Sequence, residues 1–314
     1  MTWLASPRTG GIVALMIVIA LLPLALSNNY FYEVAILVGL NAIVCVGLNL
    51  LIGYAGQISL GHAGFFGLGA YGSAILTSRF DWPALAALLA TTLAVALLAY
   101  VIGRPILRLR GHYLAMATLG MGVIVSIVIS TEDRWTGGPD GMPVPPLSFF
   151  GATITGEHAW YWLVGALLVI SVWLALNLIE SPAGRALRAL SGSEVGAEVV
   201  GIDSARQKVM VFVISAVFAA VAGSLTAHYS GFITPSKVTF FHSIELVTMV
   251  VFGGMASTFG GVVGAAVLTT LPQLLTVFKE YEMVVLGAIM MGTMIFMPKG
   301  LVPSLASILR RSGR

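Results

Sequence analysis

Apolar runs of roughly 17–20 residues, parted by short polar connections, dominate the chain. A helix that crosses a bilayer needs about 20 apolar residues, and somewhat fewer where it is broken. On that rule the pattern predicts ten spans, at 11–27, 34–52, 62–78, 84–103, 112–130, 160–179, 209–227, 243–256, 260–278 and 283–298. The eighth is short and meets the ninth at GGMASTFGG (residues 253–261), a glycine-broken turn at membrane depth. The fold class read from this pattern is an all-α polytopic membrane protein, a single transmembrane domain over residues 1–314.

One stretch breaks the pattern: GYAGQISLGHAGFFGLGAY, residues 53–71. It carries six glycines and places Tyr54, Gln57, Ser59 and His62 where an apolar helix is expected. Irregular backbone at membrane depth is tolerated only where it is buried in protein or lines a cavity. Polar side chains there usually face a bundle interior or a pathway. Glycines alone fit close helix packing; together with the polar cluster they favour a translocation path. Of the four, His62 fits an interhelical hydrogen bonder equally well.

Composition adds limits. The 314 residues are 58% hydrophobic and only 9% charged, with a net charge of +3, whereas a soluble domain carries about 25% charged residues. No basic tract suggests nucleic acid. Cys45 is the single cysteine, which excludes an internal disulfide or a cysteine metal cluster. The five histidines form no HExxH pair, and there is no GxxxxGK[ST] phosphate loop, so ATP hydrolysis by this chain has no support. Residues 1–27 resemble a signal peptide but are read as an uncleaved first span.

Charge then orients the spans. With both termini inside, Arg8, Arg104, Arg108, Arg110, Arg185, Arg188, Arg206, Lys208, Lys299, Arg310, Arg311 and Arg314 are cytoplasmic. Arg79, Arg134, Lys237 and Lys279 fall outside, a split of twelve to four among sixteen basic residues. The external connection, residues 131–159, carries TGGPDGMPVPP, whose glycines and prolines specify turns.

The internal connection, residues 180–208, has structure of its own. Ser191-Gly192-Ser193-Glu194 fits a capping box, with Ser191 as cap and Glu194 reaching back. Val195, Val199 and Ile202 follow as an apolar stripe, Gly201 can end the helix, and Asp203 or Ser204 can cap the next span. Such a helix either docks on a partner or lies on anionic lipid. Glu194 and Glu198, beside the stripe, either pair with basic residues of that partner or are solvated.

A shift of 175 positions lays YAGQISLGHAGFF (54–66) on YSGFITPSKVTFF (229–241). Tyr54/Tyr229, Gly56/Gly231, Ile58/Ile233, Phe65/Phe240 and Phe66/Phe241 coincide. The shift moves span two onto span seven, five spans on, so the copies have opposite orientation. Spans 2–5 and 7–10 are thus expected to form two inverted repeats, a recurring transporter plan.

These motifs, in this order, resemble the integral membrane permeases of branched-chain amino acid ABC importers. GYAGQISLGHAGFFGLGAY is similar to that family's N-terminal signature and TGGPDGM to its external loop. SPAGRALRALSGSEVGAEVVGID resembles its cytoplasmic coupling segment, and SIELVTMVVFGGMASTFGG its C-terminal pattern. The long external loop is closer to the M-type than the H-type subunit. The resemblance implies a bacterial inner-membrane complex with a second homologous permease, two cytoplasmic ATPase subunits and a periplasmic binding protein. It implies no cofactor on this chain, since ATP and Mg belong to the ATPases. Tyr54, Gln57, Ser59, His62 and Glu245 are the expected path residues. Arg188, Glu194, Val195, Glu198, Val199, Gly201 and Ile202 are the expected coupling residues. Glu245 is an ionisable group in or near a span, and His242, three residues earlier, shares its helical face; a structural pair is the alternative to substrate contact. Urea, short amides or aromatic acids are alternative cargoes. An ion-coupled secondary transporter is the alternative mechanism, against which the scarcity of intramembrane carboxylates counts.

Overall fold

The structure, a computed structural model, describes residues 7–25, 28–149 and 152–274, with 284, 287, 288, 291, 292, 295–297 and 300–305. Residues 283–298, the expected tenth span, are therefore mostly outside the described residues, as are Lys279, Lys299, Arg310, Arg311 and Arg314.

The other expected spans are helices whose described ends fall within five residues of those read from hydropathy. They are α1 (Pro7–Ala25), α2 (Asn29–Asn49), α3 (His62–Arg79), α4 (Ala84–Ile106) and α5 (His112–Thr131). After the external connection come α7 (Glu157–Glu180), α10 (Ser204–Ser230), α11 (Phe240–Gly253) and α12 (Thr258–Leu274). Short elements fill the two long connections: α6 (Asp133–Thr136) in the first, α8 (Pro182–Gly192) and α9 (Glu194–Val199) in the second. Among the described residues, five helices are long and apolar enough to cross a membrane: Asn29–Tyr54, which includes α2, then α4, α5, α7 and α10. The 14 residues of α11 rise only about 21 Å at 1.5 Å each, short of the roughly 30 Å hydrocarbon core.

Two helices form the axis. α2 and α10 are buried along most of their length, whereas α4, α5 and α7 leave most of theirs uncovered. The uncovered side chains are apolar, Leu93 and Leu97 on α4 and Ile124 and Val128 on α5 among them, as a lipid-facing ring requires. α3 crosses α10 through glycines: a Cβ on Gly69 would collide with the backbone of Ala220, and one on Gly223 with the Phe66 carbonyl. Without a hydrophobic drive between helices in lipid, such small-residue contacts let dispersion hold the pair.

The repeat is written into the backbone. Gly56 and Gly231, 175 apart, both take left-handed φ angles, of 65° and 64°. Asp81 and Ala256, also 175 apart, have φ of 52° and 57° and are the only non-glycine residues with positive φ among the described residues. Residue 29, which opens α2, maps onto 204, which opens α10. The packing follows: α3 and α4 lie against α10 as α11 and α12 lie against α2. Gly47 of α2 lies against Ser215 and Phe218, while Ile36 and Leu40 share a cluster with Leu225 and Tyr229. α2 and α10 therefore run antiparallel, as inverted copies must.

The connection between α5 and α7 is tied down by strands. β1 (Met142–Pro143) pairs with β4 (Phe232–Ile233), and β2 (Ser148–Phe149) with β3 (Ala152–Thr153). Gly137, Gly138 and Gly141 adopt positive φ in the TGGPDG turn. There the Thr136 hydroxyl donates to the Ile129 carbonyl at 2.7 Å and accepts from the Gly138 amide at 3.2 Å.

Candidate functional site

The broken stretch is a re-entrant turn. After α2, one π-helical turn (Leu50–Tyr54) and the left-handed Gly56 reverse the chain, and α3 starts at His62. The first amides of a helix have no intrahelical partner; here other elements supply them. Ala63 N donates to Ser243 Oγ of α11 at 3.0 Å, and just before the helix Leu60 N donates to Thr118 Oγ1 at 3.1 Å. His62 is 0% exposed. Its Nδ1 shares a 2.9 Å bond with Ser59 Oγ and its Nε2 a 2.7 Å bond with Ser215 Oγ, between the edges of Phe65 and Phe212.

For His62 the structure shows the interhelical hydrogen bonder, the alternative to a path residue. Ser59 and His62 are both buried, and His62 has both ring nitrogens committed, so they anchor α3 to α10. Tyr54 and Gln57 stay half-buried, with Gln57 Nε2 donating, among the described residues, to its neighbour Ala55 O alone at 3.0 Å. Gln57→Leu removes just that local bond. It is expected to lower uptake while leaving the amount of assembled complex unchanged, as measured by transport and by gel filtration of the purified complex. Normal uptake would make Gln57 scaffold only.

A second broken turn meets the first. Between α11 and α12 the chain turns through residues 254–257, with Ala256 left-handed. Asn49, buried at the end of α2, holds it: Nδ2 donates to Ser257 O at 2.5 Å, and Oδ1 accepts from Ala256 N at 3.0 Å. Gly53 lets the two backbones touch, since a Cβ there would collide with Ala256 N. Sequence reasoning missed Asn49. Its signal was an amide inside an otherwise apolar span.

Glu245 stands apart. Its carboxylate bonds His242 Nδ1 at 3.2 Å and is 62% exposed. It lines a cavity of about 480 Å³ between α2, α11 and α12, with Asn41, Lys237 and Thr248 also in the lining. Gly56, next to Gln57 in the chain, instead sits against Ser191 of α8. Glu245 and Gln57 thus lie toward opposite ends of the bundle, and the structure does not bring them together.

The basic connection folds as two helices, a correction to the single capped helix. Ser181 caps α8 by accepting from Gly184 N at 3.3 Å, and Ser193 caps α9 by accepting from Gly196 N at 3.1 Å. Ser191 lies inside α8, already helical and so unable to cap. Glu194 is then the first residue of α9, one position after its cap instead of three, and cannot reach back. Its carboxylate accepts from Lys208 Nζ at 2.7 Å and meets Arg110 at 3.4 Å. Lys208 is only 2% exposed, so this pair neutralises a buried ammonium. Glu194 is therefore committed within the chain. Glu198 accepts from Ser204 Oγ at 2.6 Å. Arg188 donates to Ile179 O at 2.9 Å and completes the end of α7.

Gly201 ends α9 as expected. With φ of 84° it donates to Glu198 O, and Ile202 N reaches Ala197 O, both at 3.0 Å. That pair of bonds is a Schellman motif, and Ala197 and Ile202 pack inward beside it. Asp203 caps α10 through Arg206 N. The expected stripe is split by this geometry: Ile202 turns into the core, while Val195, Val199 and Val200 are left exposed together.

Comparison with known proteins agrees with this architecture. The family model described as branched-chain amino acid transport system / permease component matches residues 30–294. The high-affinity branched-chain amino acid transport system permease protein LivM of Salmonella typhimurium is 37% identical over 228 residues, 65% of this chain and 54% of that protein. LivM of Escherichia coli is 36% identical, covering 67% and 55%. LivH of Salmonella typhimurium is 26% identical, covering 74% and 72%. The chain spans about half the length of the LivM relatives. No solved structure matches. The match over most of the chain, on a helical bundle with two glycine-broken turns, settles the family: this chain belongs to the permease components of branched-chain amino acid transport systems.

Proposed function

We propose that the chain is one of two permease subunits of an ABC importer in the bacterial inner membrane. An external binding protein delivers branched-chain or related hydrophobic amino acids, and two separate cytoplasmic ATPases, which hold ATP and Mg, drive the cycle. The names of the relatives favour that cargo over urea, short amides or aromatic acids. One observation carries the mechanism: a short helix, fastened by Lys208 and by its own Schellman turn, holds Val195, Val199 and Val200 exposed at the basic end of the bundle. In a chain without a phosphate loop, that is a handle for an external motor. Tyr54, Gln57 and Glu245, the polar path residues left incompletely buried, then line the route shared with the second permease. Uncharged or weakly held groups suit a path that must release a zwitterion.

The reading is tested by reconstitution in proteoliposomes with the second permease, both ATPases and the binding protein. ATP-dependent leucine uptake is expected; uptake driven by an ion gradient without ATP would replace the motor with a coupled ion. Orientation is tested separately. Lys208, a natural reporter by sequence, is buried, so cysteines go to the exposed Arg185 and Asp140 in a Cys45→Ala background. An impermeant thiol reagent is expected to label position 140 in intact, outer-permeabilised cells and position 185 only after lysis. The reverse pattern would invert the topology.

A further inference from the structure

The basic residues at the motor end divide into two groups. Arg185 and Arg188 cap the end of α7, and Arg110 and Lys208 share Glu194. Arg104, Arg108 and Arg206 have no acidic side chain as ion-pair partner among the described residues. They come from two helices, Arg104 and Arg108 from the end of α4 and Arg206 from the first turn of α10, yet they line a single groove of about 710 Å³. Arg104 lies over the Tyr100 ring, 4.5 Å from its centroid. Asp203 also borders the groove, but one of its carboxylate oxygens is taken by the Arg206 amide as the α10 cap.

The rest of the groove is apolar. Met210, Val213 and Ile214 line it, and in α4 Leu97 and Val101, close in sequence to the lining residue Tyr100, are exposed. Orientation by positive charge needs only charges near the ends of spans. It does not need three guanidinia converging on one apolar slot beside an aromatic ring. A guanidinium fork matches phosphate oxygens two at a time, and basic pockets between spans at the cytoplasmic surface suit anionic head groups.

We propose that this groove is a binding site for one anionic phospholipid. Its phosphate lies between Arg104, Arg108 and Arg206, and an acyl chain runs along Tyr100, Val213 and Ile214. The proposal rests on the chain being a membrane permease, not on its cargo or its motor.

The probe is phosphatidylglycerol, with phosphatidylcholine as its zwitterionic control, titrated into the detergent-purified assembled complex and counted by native mass spectrometry. One tightly held phosphatidylglycerol per chain is expected. Each surface arginine is worth roughly a factor of five toward an anionic head group. The variant Arg104→Gln/Arg108→Gln/Arg206→Gln is therefore expected to lose roughly a hundredfold in affinity. Arg110→Gln/Arg185→Gln/Arg188→Gln, with the same net charge, is expected to bind as the unaltered chain does. The triple lysine variant of the groove keeps the charge and the fold, and is expected to stay within about tenfold of the unaltered chain. Equal affinity for phosphatidylcholine, displacement by inorganic phosphate, or undiminished binding by the glutamine variant would each overturn the proposal. So would a lysine variant as weak as the glutamine one. A glutamine variant that keeps its lipid but sheds the ATPases would assign the groove to the protein partner.

Discussion

Val199→Asp is expected to abolish both ATP-driven uptake and the stimulation of ATP hydrolysis by the binding protein, while the chain still inserts and assembles with the second permease. Val199 is 82% exposed, so the chain's own fold gains almost nothing from it. Exposed substitutions usually stay within about 0.5 kcal/mol. A partner that covers the valine gains about 1.5–3 kcal/mol from its burial. A carboxylate in its place forfeits that and adds a desolvation cost, enough to break a small contact. Val199→Ile is expected to be nearly silent. The measurement is stimulated hydrolysis and leucine uptake side by side in proteoliposomes containing the full complex. Both remaining at the unaltered level would remove α9 from the transmission route and leave its valines resting on lipid.

Glu194→Ala is expected to act on the fold itself. Lys208 is buried and Glu194 is its sole acidic partner among the described residues. Breaking a buried pair by removing one member typically costs about 3–5 kcal/mol, because the other charge is left uncompensated. Net stabilities are commonly about 5–15 kcal/mol, so a large fall in melting temperature and in yield follows. Replacing both partners with apolar residues of similar volume is often neutral or better. Glu194→Leu/Lys208→Met is accordingly expected to recover most of the lost stability. Thermal melting of the purified complex decides the matter: a single variant within about 0.5 kcal/mol of the unaltered chain would mean that Lys208 is solvated despite its burial.

What was legible in the sequence was local. Span positions follow from runs of apolar residues, and the breaks at residues 53–61 and 253–257 from glycine and polar groups within a few positions of each other. Gly201 and Asp203 were found because a helix end is decided by neighbours in the chain. Cap choice was harder, since Ser191 and Ser193 offer the same hydroxyl. Only the length of α8 decides between them, by absorbing Ser191. The repeat was faint in side chains, yet Gly56/Gly231 and Asp81/Ala256 keep one backbone through different residues. What stayed hidden was long-range. Asn49 meets residues 207 and 208 positions away, and nothing near it in the chain announces that. Lys208 looked like one more cytoplasmic charge until tertiary packing closed over it. The sequence left His62 open between a path residue and an interhelical hydrogen bonder, because its partner Ser215 lies 153 positions away.

The Asn49 bridge has a mechanical consequence. One buried side chain satisfies a donor and an acceptor on the backbone of the opposite half. Sliding the halves past one another there would strand two backbone groups and an amide at once. Leaving the buried Asn49 amide unpaired costs about 1–3 kcal/mol, above thermal energy. The two halves are therefore riveted into one stiff plate at the end where α9 is mounted. If the chain works as proposed, beside a second permease and under a motor, the opening and closing belong to the seam between the two permeases, and a pull on α9 tilts this plate instead of bending it.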